Sequence, residues 1–345
     1  MAKHVTQLIA DSYGVRIGKH SERLRVSRGN EVLMEVPLIH LEMVLILSLG
    51  VSISSDAVTE CCERGIPIYF LRGNGEVHGA LYAVNLISTI EARREQLLAY
   101  YDWRGKSIAL AIGMAKIRSQ AATLRYLGKN FAKSNPERHA ALNSAAQAIL
   151  QASEALSALE QSEGTVDDIR QSVLGAEAAA AQLYWEAARC LVPSKYNWLK
   201  REGRGATDPV NSLLNYGYGI LYSQIERAII MAGLDPYAGF IHTDRPGKPS
   251  LVLDLIEEFR AAAVDRVVFG LVRRNFTVEQ EENGLLSPRT RHALAEKVLA
   301  HLESRARYHD GKRYTLRTLI QMQARHLASF LRGEQERYRS FETSW

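Results

Sequence analysis

The sequence predicts an α+β chain in two parts: a small β-sandwich or barrel-like domain over residues 1–86, then a larger all-α domain over residues 87–345. Three observations predict it. Up to about residue 84 the apolar residues alternate or come in short β-branched runs, separated by turn signals such as Arg28-Gly29-Asn30 and Asn74-Gly75. Beyond residue 89, Glu, Ala, Arg, Leu and Gln recur at helical spacing in long uninterrupted segments. With 345 residues, 46% of them hydrophobic, the chain is long enough for two cores.

In chain order, the segments 5–10, 14–17, 23–27, 32–36, 66–71 and 77–82 read as strands, being short, β-branched and bounded by turns. One helix interrupts them over 56–64, capped by Ser54 or Ser55 and ended by Gly65. Residues 86–89 read as the hinge. Helices are then expected over 90–103, 107–132, 136–159 and 166–191, and from Pro209 to about Gly233. The segment 195–208, with Lys200, Arg201 and Arg204 among glycines, reads as a basic, mobile loop, and the helix after it carries Tyr218 and Tyr222. A basic loop beside aromatic residues suits phosphate contacts and base stacking, although aromatic positions on a helix more often belong to a core.

No stretch reads as membrane-spanning: the most apolar run, 38–51, carries His40 and Glu42. The N-terminus lacks the apolar core of a signal peptide, so a cytoplasmic location is expected. Three cysteines, Cys61, Cys62 and Cys190, form no CxxC pair and read as reduced thiols. The net charge of +5 is unevenly placed, since residues 1–90 hold 8 Lys and Arg against 9 Asp and Glu. The basic excess lies wholly in the helical part, which suits either solvated helix faces or a polyanionic partner.

Residues 233–260 are where chemistry concentrates. Gly233 closes a helix, Asp235-Pro236 turns the chain, and Gly239-Phe-Ile leads to His242 at a loop mouth. After a loop carrying Arg245 and Lys248, Ser250 reads as the N-cap of a helix apolar around most of its circumference, with Asp254, Glu257 and Glu258 sharing the one remaining edge. Upstream, Glu177 is the only charged residue between Arg170 and Glu186, and its neighbours at helical spacing are Val173, Leu174, Ala180, Ala181 and Tyr184. A carboxylate on an apolar stripe needs a partner, and the residues alone leave a salt bridge and a metal site equally open. Hard oxygens with one imidazole suit Mg²⁺ or Mn²⁺ better than zinc. With no phosphate-cradling glycine loop, zinc-protease motif, nucleophile elbow or dinucleotide fingerprint, a basic helical domain with such a site points to phosphodiester chemistry on nucleic acid. A DNA-packaging scaffold would leave Glu177 unexplained. A hydrolase of small phosphoesters would leave the long basic faces unexplained.

Four motifs then match a known family in order and spacing: Leu174-Gly-Ala-Glu177-Ala-Ala-Ala-Ala-Gln-Leu-Tyr-Trp185, Asp208-Pro-Val-Asn211-Ser-Leu-Leu-Asn-Tyr-Gly-Tyr218, Gly233-Leu-Asp-Pro-Tyr-Ala-Gly-Phe-Ile-His242 and Ser250-Leu-Val-Leu-Asp254-Leu-Ile-Glu257-Glu258-Phe-Arg260. They resemble the CRISPR-associated endonuclease/integrase of spacer acquisition, the larger of the two universal CRISPR adaptation proteins. The similarity spans essentially the whole chain, including the C-terminal Gln323-Ala-Arg325 helix. It departs at Ala261, where the family often has proline, and in the loop 243–249. The resemblance implies a Mg²⁺- or Mn²⁺-dependent nuclease and strand-transfer site with ligands at Glu177, His242 and Glu257. It also implies double-stranded DNA as substrate, a homodimer, and a small ferredoxin-like CRISPR-associated partner. Family spacing makes Glu257 the direct ligand and leaves Asp254 to support a neighbouring ligand or a metal-bound water, with Glu258 expected to meet a basic side chain or solvent. Lys200, Arg201, Arg204, Tyr218, Tyr222, Arg245, Lys248, Arg273 and Arg274 are the expected DNA contacts. The homodimer contact is expected on the β domain.

Overall fold

The computed structural model describes residues 6–83, 90–203 and 205–343; the expected hinge at 86–89 and Arg204 lie outside them. The first part contains β1 (Gln7–Ala10), β2 (Arg16–His20), β3 (Arg23–Arg28), β4 (Glu31–Pro37), β5 (Met43–Ile46), β6 (Ser52–Ile53), α1 (Ser55–Glu63), β7 (Ile68–Leu71) and β8 (Val77–Leu81). These strands form two four-stranded sheets, in the orders β1-β5-β7-β8 and β4-β3-β2-β6. The sheets share a small core in which Leu8, Val44, Ile46 and Ile68 meet Ile17, Leu24, Val26 and Val36, closed by Ala57 and Cys61 of α1.

The strand β5 escapes sequence reading for a physical reason. It pairs in parallel with β1 and β7 and is buried on both faces: Val44 and Ile46 enter the small core, while Met43 and Leu45 enter the core of the helical part. A strand covered on both sides shows no alternation, only an apolar run.

The second part contains α2 (Ile90–Ala99), α3 (Trp103–Gly128), α4 (Pro136–Ser157), α5 (Val166–Ala188), α6 (Pro209–Met231), α7 (Ser250–Leu255), α8 (Arg266–Arg273), α9 (Pro288–Leu302), β9 (Arg305–Arg307), β10 (Arg313–Thr315) and α10 (Leu316–Leu331). The helix expected over 90–103 stops at Ala99, and the one expected from 107 begins at Trp103. The break comes from Asp102, whose extended backbone and side chain, accepting from the Arg104 N–H at 2.8 Å, start a new helix. The antiparallel pair β9–β10 is a strand element in the part expected to be all helix. Among the described residues no helix is long and apolar enough to cross a membrane.

Helices α3, α4 and α5 pack on one another. The largely buried α6 lies between the first sheet and α10, tied to the sheet by a 2.7 Å hydrogen bond from Tyr82 Oη to Glu226 Oε2. The turn between β7 and β8 rests directly on the backbone of α6. A Cβ at Gly219 would fall 1.6 Å from the Gly75 carbonyl oxygen, and Gly75 itself has a φ of +86°, so glycine is required on both sides of the contact. This docking makes the β7–β8 turn one wall of a groove that also takes in Arg260.

Candidate active site

His242 stands at the end of the lead the sequence predicts, and Asp254 holds it there. Asp254 Oδ2 accepts from the backbone N–H of Phe240 (2.6 Å) and Ile241 (3.0 Å), and Oδ1 accepts from that of His242 (3.0 Å). The same Oδ1 lies 2.7 Å from His242 Nδ1. A carboxylate accepts, so Nδ1 carries the proton and Nε2 keeps its lone pair. Gly239 makes this approach possible, since a Cβ there would sit 2.8 Å from Asp254 Oδ2. Ser250, expected as an N-cap, lies inside α7 instead. Its hydroxyl accepts from the Gly239 N–H at 2.8 Å and donates to the Tyr237 carbonyl at 2.5 Å, stitching the lead to the helix.

The carboxylates of the 254–258 segment do not share an edge. After Leu255 the chain tightens into a 3₁₀ turn, Ile256–Glu258, which rotates successive side chains further than an α-helix does. Asp254 therefore faces the lead, Glu257 faces α3 and α5, and Glu258 faces the C-terminal segment. The expectation that Glu258 meets a basic side chain or solvent is wrong: it is fully buried and accepts from Tyr338 Oη at 2.5 Å and the Phe341 N–H at 2.6 Å. Burial pushes its carboxyl up to about 8.

The partner that Glu177 requires is Lys116 of α3, whose Nζ lies 2.7 Å from Glu177 Oε2 and 3.4 Å from Glu257 Oε2. Arg260 Nη1 holds the other oxygen of Glu257 at 2.6 Å. Burial alone would raise both carboxyls. At Glu257 the Arg260 guanidinium and the Lys116 ammonium overcome it and hold the group ionised, below the ordinary carboxylate range. At Glu177 burial prevails over Lys116, and the nearby Glu257 charge adds to it, so its carboxyl is raised. Burial likewise works against the Lys116 charge, but Glu257 and Glu177 outweigh it and raise its pKa.

Sequence reasoning missed Lys116, yet a signal was present. It is the only charged residue between Lys106 and Arg118, the same isolation on an apolar helix that singled out Glu177.

The donor set suits a hard divalent ion in kind: two carboxylates, an imidazole with a free Nε2, and a buried Glu177 Oε1 that has no hydrogen-bond partner. Among the described residues no three His, Cys, Asp or Glu side chains stand close enough to hold an ion as they are. The cation between the two carboxylates is the Lys116 ammonium. The residues therefore fit a metal provided that Lys116 gives way.

A cavity of about 1040 Å³ lies beside this point, lined by the β7–β8 turn, the α6 face with Asn215 and Tyr222, the 245–249 loop and Arg260; Arg260, bonded to Glu257, joins the two, and Glu177, His242 and Glu257 do not themselves line it. Of the expected DNA contacts, the structure brings Arg201, Tyr218, Tyr222, Arg245 and Lys248 to this groove and leaves Lys200, Arg273 and Arg274 outside its lining. Two of them differ from expectation. Arg201 is held rather than mobile, bonded to Asn215 Oδ1 at 2.7 Å and lying over the rings of Trp185 and Tyr218. Tyr218 is not free to stack on a base: its hydroxyl donates to Asp265 and its ring carries Arg260 at 4.1 Å from the centroid. Arg273 lies over the Phe131 ring.

The family model for CRISPR associated protein Cas1 matches residues 8–300. A CRISPR-associated endonuclease Cas1 of Archaeoglobus fulgidus is 36% identical over 355 residues, covering 98% of this chain and 100% of the relative. Among solved structures, a casposase bound to an integration product superposes with a TM-score of 0.78 at 23% identity, covering 97% of this chain and 93% of that one. A Cas6-RT-Cas1–Cas2 complex superposes with a TM-score of 0.77 at 20% identity, covering 100% of this chain and 37% of that one. The casposase and Cas6-RT-Cas1–Cas2 superpositions extend the agreement to the fold. By the match along most of its length and the identity to full-length relatives, this chain belongs to the CRISPR-associated protein Cas1 family.

Proposed function

We propose that this chain is a divalent-metal-dependent DNA endonuclease and integrase that captures short DNA fragments and joins their 3′ ends to the repeat of a CRISPR array. The observation that carries the proposal is the meeting of Glu177 and Glu257 from separate elements near the Asp254-held His242, joined through Arg260 to a groove also lined by Arg201, Arg245 and Lys248. A phosphodiester backbone in that groove meets the held guanidiniums of Arg201 and Arg260 and the charges of Arg245 and Lys248 on the 245–249 loop. Residues 1–86 form the dimerising part and residues 87–345 the catalytic and DNA-binding part.

In the joining step a DNA 3′-hydroxyl attacks a phosphodiester of the repeat. One O–P bond forms, another breaks, and the displaced 3′-oxygen takes up the proton that the attacking hydroxyl loses. Glu177, Glu257 and His242 Nε2 would hold Mg²⁺ or Mn²⁺, which supplies Lewis acidity toward the phosphoryl oxygen when bound. Asp254 fixes the imidazole so that Nε2 faces the site. Arg260, bonded to Glu257, places positive charge where the phosphate enters. Hydrolytic cleavage uses the same site with water as the attacking group.

Partners follow from the family and from two observations. The exposed Val32, Leu33 and Met34 lie on the edge strand β4, an apolar edge suited to a second copy of the chain. The superposed complex, in which Cas1 is assembled with Cas2, is in keeping with a CRISPR-associated adaptation partner, which the family resemblance makes small and ferredoxin-like. The deciding assay follows nicking and joining of a labelled duplex with Mg²⁺, Mn²⁺ or a chelator. Metal-dependent joining is expected. DNA binding with no cleavage would indicate a scaffold, and turnover of a small phosphodiester with no action on the duplex would indicate a small-substrate hydrolase.

A further inference from the structure

Three elements bring charge to one point. Lys116 comes from the middle of α3, Glu177 from α5 and Glu257 from the 3₁₀ turn after α7. The Lys116 Nζ reaches one oxygen of each carboxylate, at 2.7 and 3.4 Å, and Arg260 takes the second Glu257 oxygen at 2.6 Å. The second Glu177 oxygen has no partner. Its surroundings are tight and apolar: a Cβ added at Gly113 would lie 2.8 Å from Val173 and 3.6 Å from Glu177 Oε1.

Two buried carboxylates that are both ionised cannot face each other without a cation between them. An ion shared by Glu177 and Glu257 needs the Glu257 oxygen that Lys116 now faces, because Arg260 has the other one, and it must sit where the Lys116 ammonium lies between the two carboxylates. An ammonium on a four-carbon stem is a movable charge, unlike a forked guanidinium. We infer that Lys116 is the resident cation of this site: it keeps Glu177 and Glu257 paired while no metal is bound, competes with the incoming ion, and is drawn off by the DNA phosphate. Metal and DNA then bind cooperatively, each raising the affinity for the other by the same factor. The inference rests on the metal-site reading above.

The test is Mn²⁺ binding measured by calorimetry on the full chain, with and without a short duplex, for the native protein, Lys116→Met, Lys116→Gln and Glu177→Gln. Without DNA, Lys116→Met should bind Mn²⁺ about tenfold tighter or more, since it removes a competing charge next to the ion. Duplex should raise the affinity of the native protein and leave that of Lys116→Met nearly unchanged. The melting temperature of Lys116→Met in chelator should fall and be restored by Mn²⁺. Should Lys116→Met not fold, Lys116→Gln, which keeps a hydrogen-bond donor without the charge, should show the same tightening. Equal or weaker Mn²⁺ affinity in the folded Lys116 variant, with binding lost in Glu177→Gln, overturns the inference and leaves the metal site standing. Absence of Mn²⁺ binding to the native protein with duplex present overturns both.

Discussion

Replacing Asp254 by Asn should separate positioning of the imidazole from the chemistry. The native carboxylate is fully buried and accepts four hydrogen bonds, two on each oxygen. Asn retains one carbonyl oxygen and turns an NH₂ toward the other pair of donors. One N–H group (of His242, when the imidazole changes tautomer) or two (of Phe240 and Ile241) are then left facing a donor, and each unsatisfied buried group costs about 1–3 kcal/mol. The expected destabilisation is therefore about 1–6 kcal/mol, enough to lower the melting temperature by several degrees. If the amide settles with its NH₂ toward His242, the proton shifts to Nε2 and the lone pair no longer faces the site. If it settles the other way, the 240–241 lead loosens. Either outcome should lower duplex joining by about 10- to 100-fold, as losses of a ligand's supporting partner usually do. The assay is the joining rate at a temperature well below the variant's own melting point, beside a thermal melt of the same sample. Joining within threefold of native, with an unchanged melting temperature, would refute the assignment of Asp254 as the anchor of His242.

Glu177→Ala, His242→Ala and Glu257→Ala should each abolish metal-dependent cleavage and joining while leaving DNA retention in a gel-shift assay largely intact; near-native joining by any one removes that residue from the site. Glu258→Gln should act through stability, because its partners are Tyr338 and the Phe341 backbone, so a folded Glu258→Gln as inactive as Glu257→Gln would contradict the placement of that turn. Arg245→Glu with Lys248→Glu should weaken duplex binding and make it less steeply dependent on salt, by about one unit of log-log slope for each phosphate that is no longer neutralised; an unchanged slope takes the 245–249 loop out of the DNA path. Asp265 provides a pH test: burial, against the Tyr218 and Tyr184 hydrogen bonds, pushes its carboxyl up to about 6. Between about pH 4 and 6 the folded protein then holds a proton that the unfolded chain has released, so stability falls as pH rises through that window, by at most about 1.4 kcal/mol per unit. Asp265→Asn should flatten the fall, and parallel melting curves for the two proteins across pH 4–7 would show the assignment to be wrong.

What the sequence by itself determined is what depends on near neighbours along the chain. Alternation and turn residues mark the strands that have one wet face, helical spacing marks α4, α5 and α6, and Gly239, His242 and the isolation of Glu177 on its apolar stripe are all legible within a window of about ten residues. The same window misleads where a local rule is overridden by a distant contact. It extended α2 through Asp102, gave Ser250 a capping role, and set Asp254, Glu257 and Glu258 on one edge of a regular helix. Tertiary structure alone decided that β5 is covered on both faces, because one of its covers is a helix well over a hundred residues away. It decided that Glu258 turns to a segment that returns 80 residues later, and that the carboxylate partner of Glu177 is an ammonium 61 residues upstream. The physical reason is common to these cases. A buried charge must find an opposite charge or a hydrogen bond wherever the fold provides one; the sequence shows that Glu177 and Lys116 each need a partner, and only the packing of α3 against α5 and the 3₁₀ turn makes them partners of one another.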